Sequence, residues 1–185
     1  MRILIALIAI LAAPLGSQAT AQDRAGNDTP GEWVVTHHTP FGLWDSFCDE
    51  RTTGETLEQR CYLRYVEVYA PRPNFGAIFT FITPDEVEFG MESGIRLIGD
   101  GLRIEQDGEI AWQETRRSCQ TGGACTLDGG AADAFLDTAS DGGTLAITLR
   151  DRQGIVREMF WDLSQMDAAL TDYRAEAQKR DLLPG

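Results

Sequence analysis

Histidine is almost absent. Only His37 and His38 occur in 185 residues, although imidazole is the usual general base and metal ligand near neutral pH. If the two lie on a strand they point to opposite faces, so they cannot converge on one metal or one substrate. No cysteine precedes Cys48, which excludes a lipid anchor built on a cysteine just behind an export signal. The nucleophile elbow G-x-S-x-G, the zinc helix H-E-x-x-H and the S-x-x-K motif are missing. So are the phosphate loops G-x-x-x-x-G-K-[ST] and G-x-G-x-x-G and the calcium loop D-x-[DN]-x-[DN]-G. Cationic charge is also scarce, with 16 Lys+Arg against 29 Asp+Glu and a formal charge of −13. Phosphate backbones and anionic lipid headgroups need cationic surface to displace their counterions. The composition therefore speaks against nucleic acid and membrane surfaces as partners, and no motif asks for a cofactor or a metal.

The N-terminus reads as an address. Arg2 precedes an apolar run from Ile3 to Leu15, interrupted at Pro14, and Ala19-Thr20-Ala21 follows. These are the parts of a cleavable secretory signal over residues 1–21, too short in its apolar stretch for a membrane span of about 18 residues or more. Residues 22–31 are small and polar without periodicity, as in a disordered leader. Residues 32–185 have the length of a single domain, and the expected location is the periplasm, the cell envelope or the medium.

Short β-rich runs at 32–37, 61–69, 75–82, 95–98, 102–106, 109–115, 144–150 and 155–163 alternate with turn signals, the pattern of antiparallel sheet. Asp-Gly occurs at Asp100-Gly101, Asp107-Gly108, Asp128-Gly129 and Asp141-Gly142, and each reads as a turn because the dipeptide tolerates positive φ. The run 75–82 is apolar on both pleat faces, which predicts a central strand covered on both sides. A short helix is expected over 131–138. A second follows Ser164 as a candidate cap, with Met166, Ala169, Leu170, Tyr173 and Ala177 forming one buried stripe. The fold predicted is mainly β, an antiparallel sandwich or partly closed barrel with the C-terminal α-helix packed on it.

Four cysteines remain behind the signal: Cys48, Cys61, Cys119 and Cys125. Three pairings are possible, and in an oxidising compartment the short loops favour Cys48 with Cys61 and Cys119 with Cys125. Zinc would want pairs separated by about two to four residues, and a redox centre would want C-x-x-C opening a helix. Neither pattern is present. Carboxylates group at Asp85, Glu86 and Glu88 and at Glu105, Asp107 and Glu109, which leaves a glycosidase-like pair as the enzymatic alternative. Among 29 acidic residues such groups arise by chance. Trp33, Trp44, Tyr69, Phe75 and Trp112 lie near predicted loops; with Arg64 or Arg72 they could form a recognition patch, although core packing is the commoner use. The loop 70–75, with Arg72, Asn74 and Phe75, is the candidate partner contact.

The segment Phe41-Gly-Leu-Trp-Asp-Ser-Phe-Cys48 resembles the F-G-x-W-x-x-x-C opening of the invasion-associated locus B family of bacterial envelope proteins. Arg60-Cys61-Tyr-Leu63 is similar to its second cysteine segment, Cys119 to Cys125 to its later cysteine pair, and Leu163-Ser-Gln-Met-Asp-Ala-Ala-Leu170 to its terminal L-S-x-x-G-F-x-x-A-L stretch. Ala124 stands where that family often has glycine, and Met166-Asp167 where it has Gly-Phe. The resemblance implies an exported, disulfide-bonded, mainly β protein, associated in some members with entry into host cells, with no catalytic residues to carry over. The expected function is thus non-catalytic: a protein-binding factor in surface attachment. The alternatives are a carboxylate-dependent hydrolase of envelope sugars and a periplasmic assembly or stress factor. If both bridges form, alkylation of the native protein without reductant labels no cysteine, and labels all four after reduction.

Overall fold

The computed structural model describes residues 33–91, 94–120 and 124–183; the expected signal segment and leader lie outside them. Ten strands and three helices follow in order: β1 (Val34–Phe41), β2 (Trp44–Thr53), β3 (Thr56–Ala70), β4 (Gly76–Ile82), β5 (Glu86–Met91), β6 (Arg96–Gln106), β7 (Glu109–Glu114), α1 (Arg117–Gln120), β8 (Ala124–Asp128), α2 (Gly130–Ser140), β9 (Thr144–Arg150), β10 (Val156–Asp162) and α3 (Met166–Gln178). They make two antiparallel sheets, ordered β1-β2-β3-β4-β5-β8 and β10-β9-β6-β7. Neither closes on itself, so the sandwich holds and the barrel does not.

Strand alternation decides what each sheet buries. On the larger sheet Trp44 and Cys48 of β2, Leu63 of β3, Ile78 and Ile82 of β4 and Phe89 of β5 are all fully buried. They meet Leu102, Ile104, Leu145, Ile147 and Trp161 of the smaller sheet in one core. Each such side chain contributes roughly 1.5–3 kcal/mol on leaving water. Trp161 stands edge-on to Trp44 with ring centroids 6.2 Å apart and to Tyr65 at 4.7 Å. Two indole N–H groups tie the layers further: Trp44 Nε1 donates to the Asp162 carbonyl at 3.2 Å, and Trp161 Nε1 donates to the Glu67 carboxylate. At the other end Phe135 of α2 meets Phe89 and Trp112 edge-on at 5.5 and 5.1 Å. The expected stripe of α3, Met166, Ala169, Leu170, Tyr173 and Ala177, is its buried face.

Both bridges join the expected partners. Cys48 and Cys61 face each other across β2 and β3 with Cα atoms 4.1 Å apart, the narrow spacing of a non-hydrogen-bonded cross-strand pair. Cys119 on α1 joins Cys125 on β8, whose neighbour across the ladder is Phe89.

Several expectations are corrected. Strands β2, β5 and β8 were not anticipated, and the runs 95–98 and 102–106 are one strand, β6, whose pairing with β9 shifts register between Leu97 and Leu102. Asp100-Gly101 lies inside that irregularity, with Gly99 and Gly101 at φ 58° and 61°. Of the four Asp-Gly pairs only Asp107-Gly108, at φ 52° and 84°, turns a two-strand hairpin. Asp128-Gly129 leads into α2, and Asp141-Gly142 leaves it. On β4 one face is fully buried while Phe79 and Phe81 on the other are half-buried. Ser164 does not cap α3: its hydroxyl donates to the Asp162 carboxylate at 2.8 Å, and Gln165 occupies the cap position without a side-chain bond.

Gly143 enters β9 at φ 98°, where an added Cβ would lie 2.4 Å from the Glu105 carbonyl oxygen. A left-handed backbone and a backbone clash act together there, so Gly143→Ala is expected to cost about 2–4 kcal/mol, measured by denaturant unfolding.

Candidate contact surface

The face of the larger sheet turned away from the core is built from the alternate residues of the same strands. Register puts Asp45, Phe47, Asp49 and Arg51 of β2 opposite Arg64, Tyr62, Arg60 and Glu58 of β3. Asp49 is fully buried, yet it is satisfied: Arg60 donates two bonds to its carboxylate at 2.6 and 3.0 Å, and the Tyr62 hydroxyl a third at 3.2 Å. That bonding holds the Arg60 guanidinium above its ordinary pKa, and burial raises the Tyr62 phenol. The same guanidinium lies 4.0 Å from the Trp33 ring centroid, with that of Arg51 at 4.6 Å. Trp33 is thereby buried under two cations, a favourable use of its π face.

A line of rings crosses this face. His38 on β1 stacks on Phe47 at 4.2 Å, Phe47 on Tyr62 at 5.7 Å, Tyr62 meets Phe81 edge-on at 5.6 Å, and Phe81 meets Phe79 at 5.4 Å. Phe79 lies across Gly90, where a Cβ would fall 1.8 Å from the ring; only glycine leaves room for it. Beside these rings Val66 and Val68 of β3 are 45% and 51% exposed.

The expected contact loop stands at one end of this sheet. Residues 71–75 are all exposed, so Arg72 and Asn74 are on the surface beside Phe75, which is 42% exposed. The Arg72–Pro73 peptide is cis. A second loop, 151–155, reaches the first: Arg152 Nη2 donates to the Phe75 carbonyl at 3.0 Å. Buried Asp151 organises that second loop by accepting the N–H groups of Gln153 and Ile155 at 3.0 and 2.8 Å and the Arg157 guanidinium at 3.1 Å. Ile155 and Val156, which the sequence did not single out, are 49% and 48% exposed there. Of the five aromatics weighed, Trp33 and Trp44 are buried, Tyr69 and Trp112 are partly buried against the core, and Phe75 alone is exposed.

The ionisable groups are dispersed. The two histidines diverge as expected: His37 Nε2 meets Asp172 of α3 at 2.7 Å, whereas His38 Nε2 meets Asp45 on the outward face at 2.9 Å. Glu105 is tied to Arg103 at 2.6 Å and Asp107 occupies the hairpin turn. Glu86 and Glu88 lie on β5, and Asp85 borders a cleft of about 280 Å³ shared with Gln59, Arg60, Tyr62 and Thr83. Glu114 lies close to the sulfurs of Cys119 and Cys125, but those are joined to each other and the carboxylate is bonded to Arg116 at 2.8 Å. A thiolate metal site is not available there.

Among solved structures the chain is similar to the crystal structure of invasion associated protein B from Bartonella henselae: 16% identity and a TM-score of 0.46, covering 78% of this chain and 99% of that one. This is a fold-level resemblance. No protein-family profile matches the chain, and no curated protein does.

Glu176 on α3 accepts bonds from Lys179 and Arg180 with His37 nearby, and the two cationic donors lower its carboxyl to about 2. An unfolded glutamate titrates at about 4.3, so the contribution is present above that pH and is lost as pH falls toward 2. Glu176→Gln is expected to cost about 1 kcal/mol at pH 7, a modest value because the cluster is near the surface. Unfolding in urea at pH 7, 4 and 2.5 should show the two proteins converging as the solution is acidified.

Proposed function

We propose that this is a non-catalytic exported envelope protein that binds another protein through the surface where loops 71–75 and 151–155 meet. One observation carries the reading: Phe75 and Ile155, on two loops held by internal bonds, and Val156, at the start of β10, are large exposed apolar side chains. Ordering a loop on binding costs free energy, so an apolar tip already fixed by its own fold is suited to recognition. Arg72 and Asn74 supply polar groups beside the aromatic ring, the residue types that surround interface anchors.

Export is supported by the secretory pattern at residues 1–21 and by two disulfides, which persist in oxidising compartments. Among the described residues no helix is long and apolar enough to cross a membrane. The formal charge of −13 favours a protein partner over phosphate-rich ones. A role in surface attachment follows from the family resemblance in the sequence.

A photo-crosslinking residue placed at Phe75 and activated in intact envelope should yield one discrete adduct, weakened by Arg72→Ala with Ile155→Ser. A probe at Asp141, on the α2–β9 turn, serves as control. Equal adducts from both positions, or none from Phe75, would count against this surface.

A further inference from the structure

The outward face of the larger sheet carries charges that are nearly all spoken for. Asp49 is bonded to Arg60, Arg51 to Glu58 at 2.5 Å, and Asp45 to His38. Arg64 of β3 and the two carboxylates of β5, Glu86 and Glu88, differ. Arg64 stacks over Phe47, its guanidinium 4.5 Å from the ring centroid; Asp45, its cross-strand neighbour on β2, is bonded to His38, and among the described residues no ion pair joins Arg64, Glu86 or Glu88 to an opposite charge. Pairing across three neighbouring strands places Arg64 and Glu88 in one row: Arg64 of β3 opposite Phe81 of β4, and Phe81 opposite Glu88 of β5. The next row is Val66, Phe79 and Gly90, and beyond it Val68 stands opposite Ala77. The row therefore reads cation, aromatic, carboxylate, with an uncovered apolar strip continuing from its centre.

Such a row has a symmetry property. A two-fold axis lying in the plane of a face-to-face contact and running along β4 exchanges the β3 side of one copy for the β5 side of the other. Each Arg64 then lies over the Glu88 of its partner copy, and Phe79 and Phe81 meet their own equivalents. We propose that this face is the isologous interface of a homodimer, with paired Arg64–Glu88 contacts flanking an apolar centre of Val66, Val68, Phe79 and Phe81. Isologous two-fold contacts are the commonest way for identical chains to associate, and sheets pack face to face at about 10 Å with their strands nearly aligned. Gly90 lets the Phe79 ring lie low against β5, which keeps the strip flat enough for a second sheet to approach. The charge arrangement selects a second copy over a foreign partner: a uniformly basic surface would leave Arg64 opposed, a uniformly acidic one Glu88.

The net charge of each chain opposes association at long range. Screening over about 8 Å at physiological ionic strength weakens that repulsion while contacts at the centre of the face stay short. Association should accordingly be stronger at physiological than at very low salt. Loops 71–75 and 151–155 lie beyond the charged row, at the strand ends, so loss of the dimer and loss of the loop adduct are separate readouts.

The test is sedimentation equilibrium of the oxidised protein over a range of concentrations, with near-ultraviolet circular dichroism to verify that each variant is folded. The native chain is expected to reach twice its monomer mass. Arg64→Glu and Glu88→Arg should each raise the dissociation constant at least about tenfold, and the double swap should return it to within a few-fold of native. Val66→Lys, at an exposed position that leaves the core untouched, should also weaken the dimer. A monomer at every concentration, single swaps without effect, or a double swap no tighter than the singles would each overturn the proposal.

Discussion

The register of β2 against β3 is the constraint on which both faces of the larger sheet depend. Alternation along a strand has period two, so slipping one residue would turn Trp44, Ser46 and Cys48 outward and bring Phe47 and Asp49 in. Trp44 would lose Trp161 and the Asp162 carbonyl, which help join the two sheets. Asp49 would lose Arg60 and Tyr62 and carry an unpaired charge into the core. The disulfide between residues directly opposite on these strands holds the one pairing in which a tryptophan core and a salted aromatic surface coexist.

Periodicity revealed what it governs. The buried stripe of α3 and the limits of β9 were legible because an amphipathic helix and a buried apolar strand advertise themselves in single residues. Strand β2 was not, because its Asp, Ser and Glu content disfavours sheet by propensity; it is a strand because β1 and β3 pair with it and because Arg60 and Tyr62 neutralise Asp49. Strands β5 and β8 are short, six and five residues, and β5 carries Glu86 and Glu88, which disfavour sheet by propensity. The Asp-Gly pairs taught a related lesson. A hairpin turn, a strand irregularity and the two ends of a helix all want a positive φ, so the dipeptide reports a bend without saying which.

The contact surface was half legible. Arg72, Asn74 and Phe75 were recognisable as an exposed loop from their prolines and asparagine. Ile155 and Val156 were not, since their place beside that loop comes from Arg152 reaching the Phe75 carbonyl across 77 positions of sequence. The outward aromatic line was missed for a similar reason: His38, Phe47, Tyr62 and Phe81 come from four different strands, and only the ladder makes them neighbours.

Each disulfide joins cysteines that are consecutive in the chain. A polypeptide delivered N-terminus first, by ribosome or by translocon, presents Cys48 and Cys61 together before Cys119 has arrived. The order of emergence thus disfavours the crossed and the nested connectivities alike, and oxidative maturation can proceed vectorially, with little call on an isomerase to undo wrong bonds.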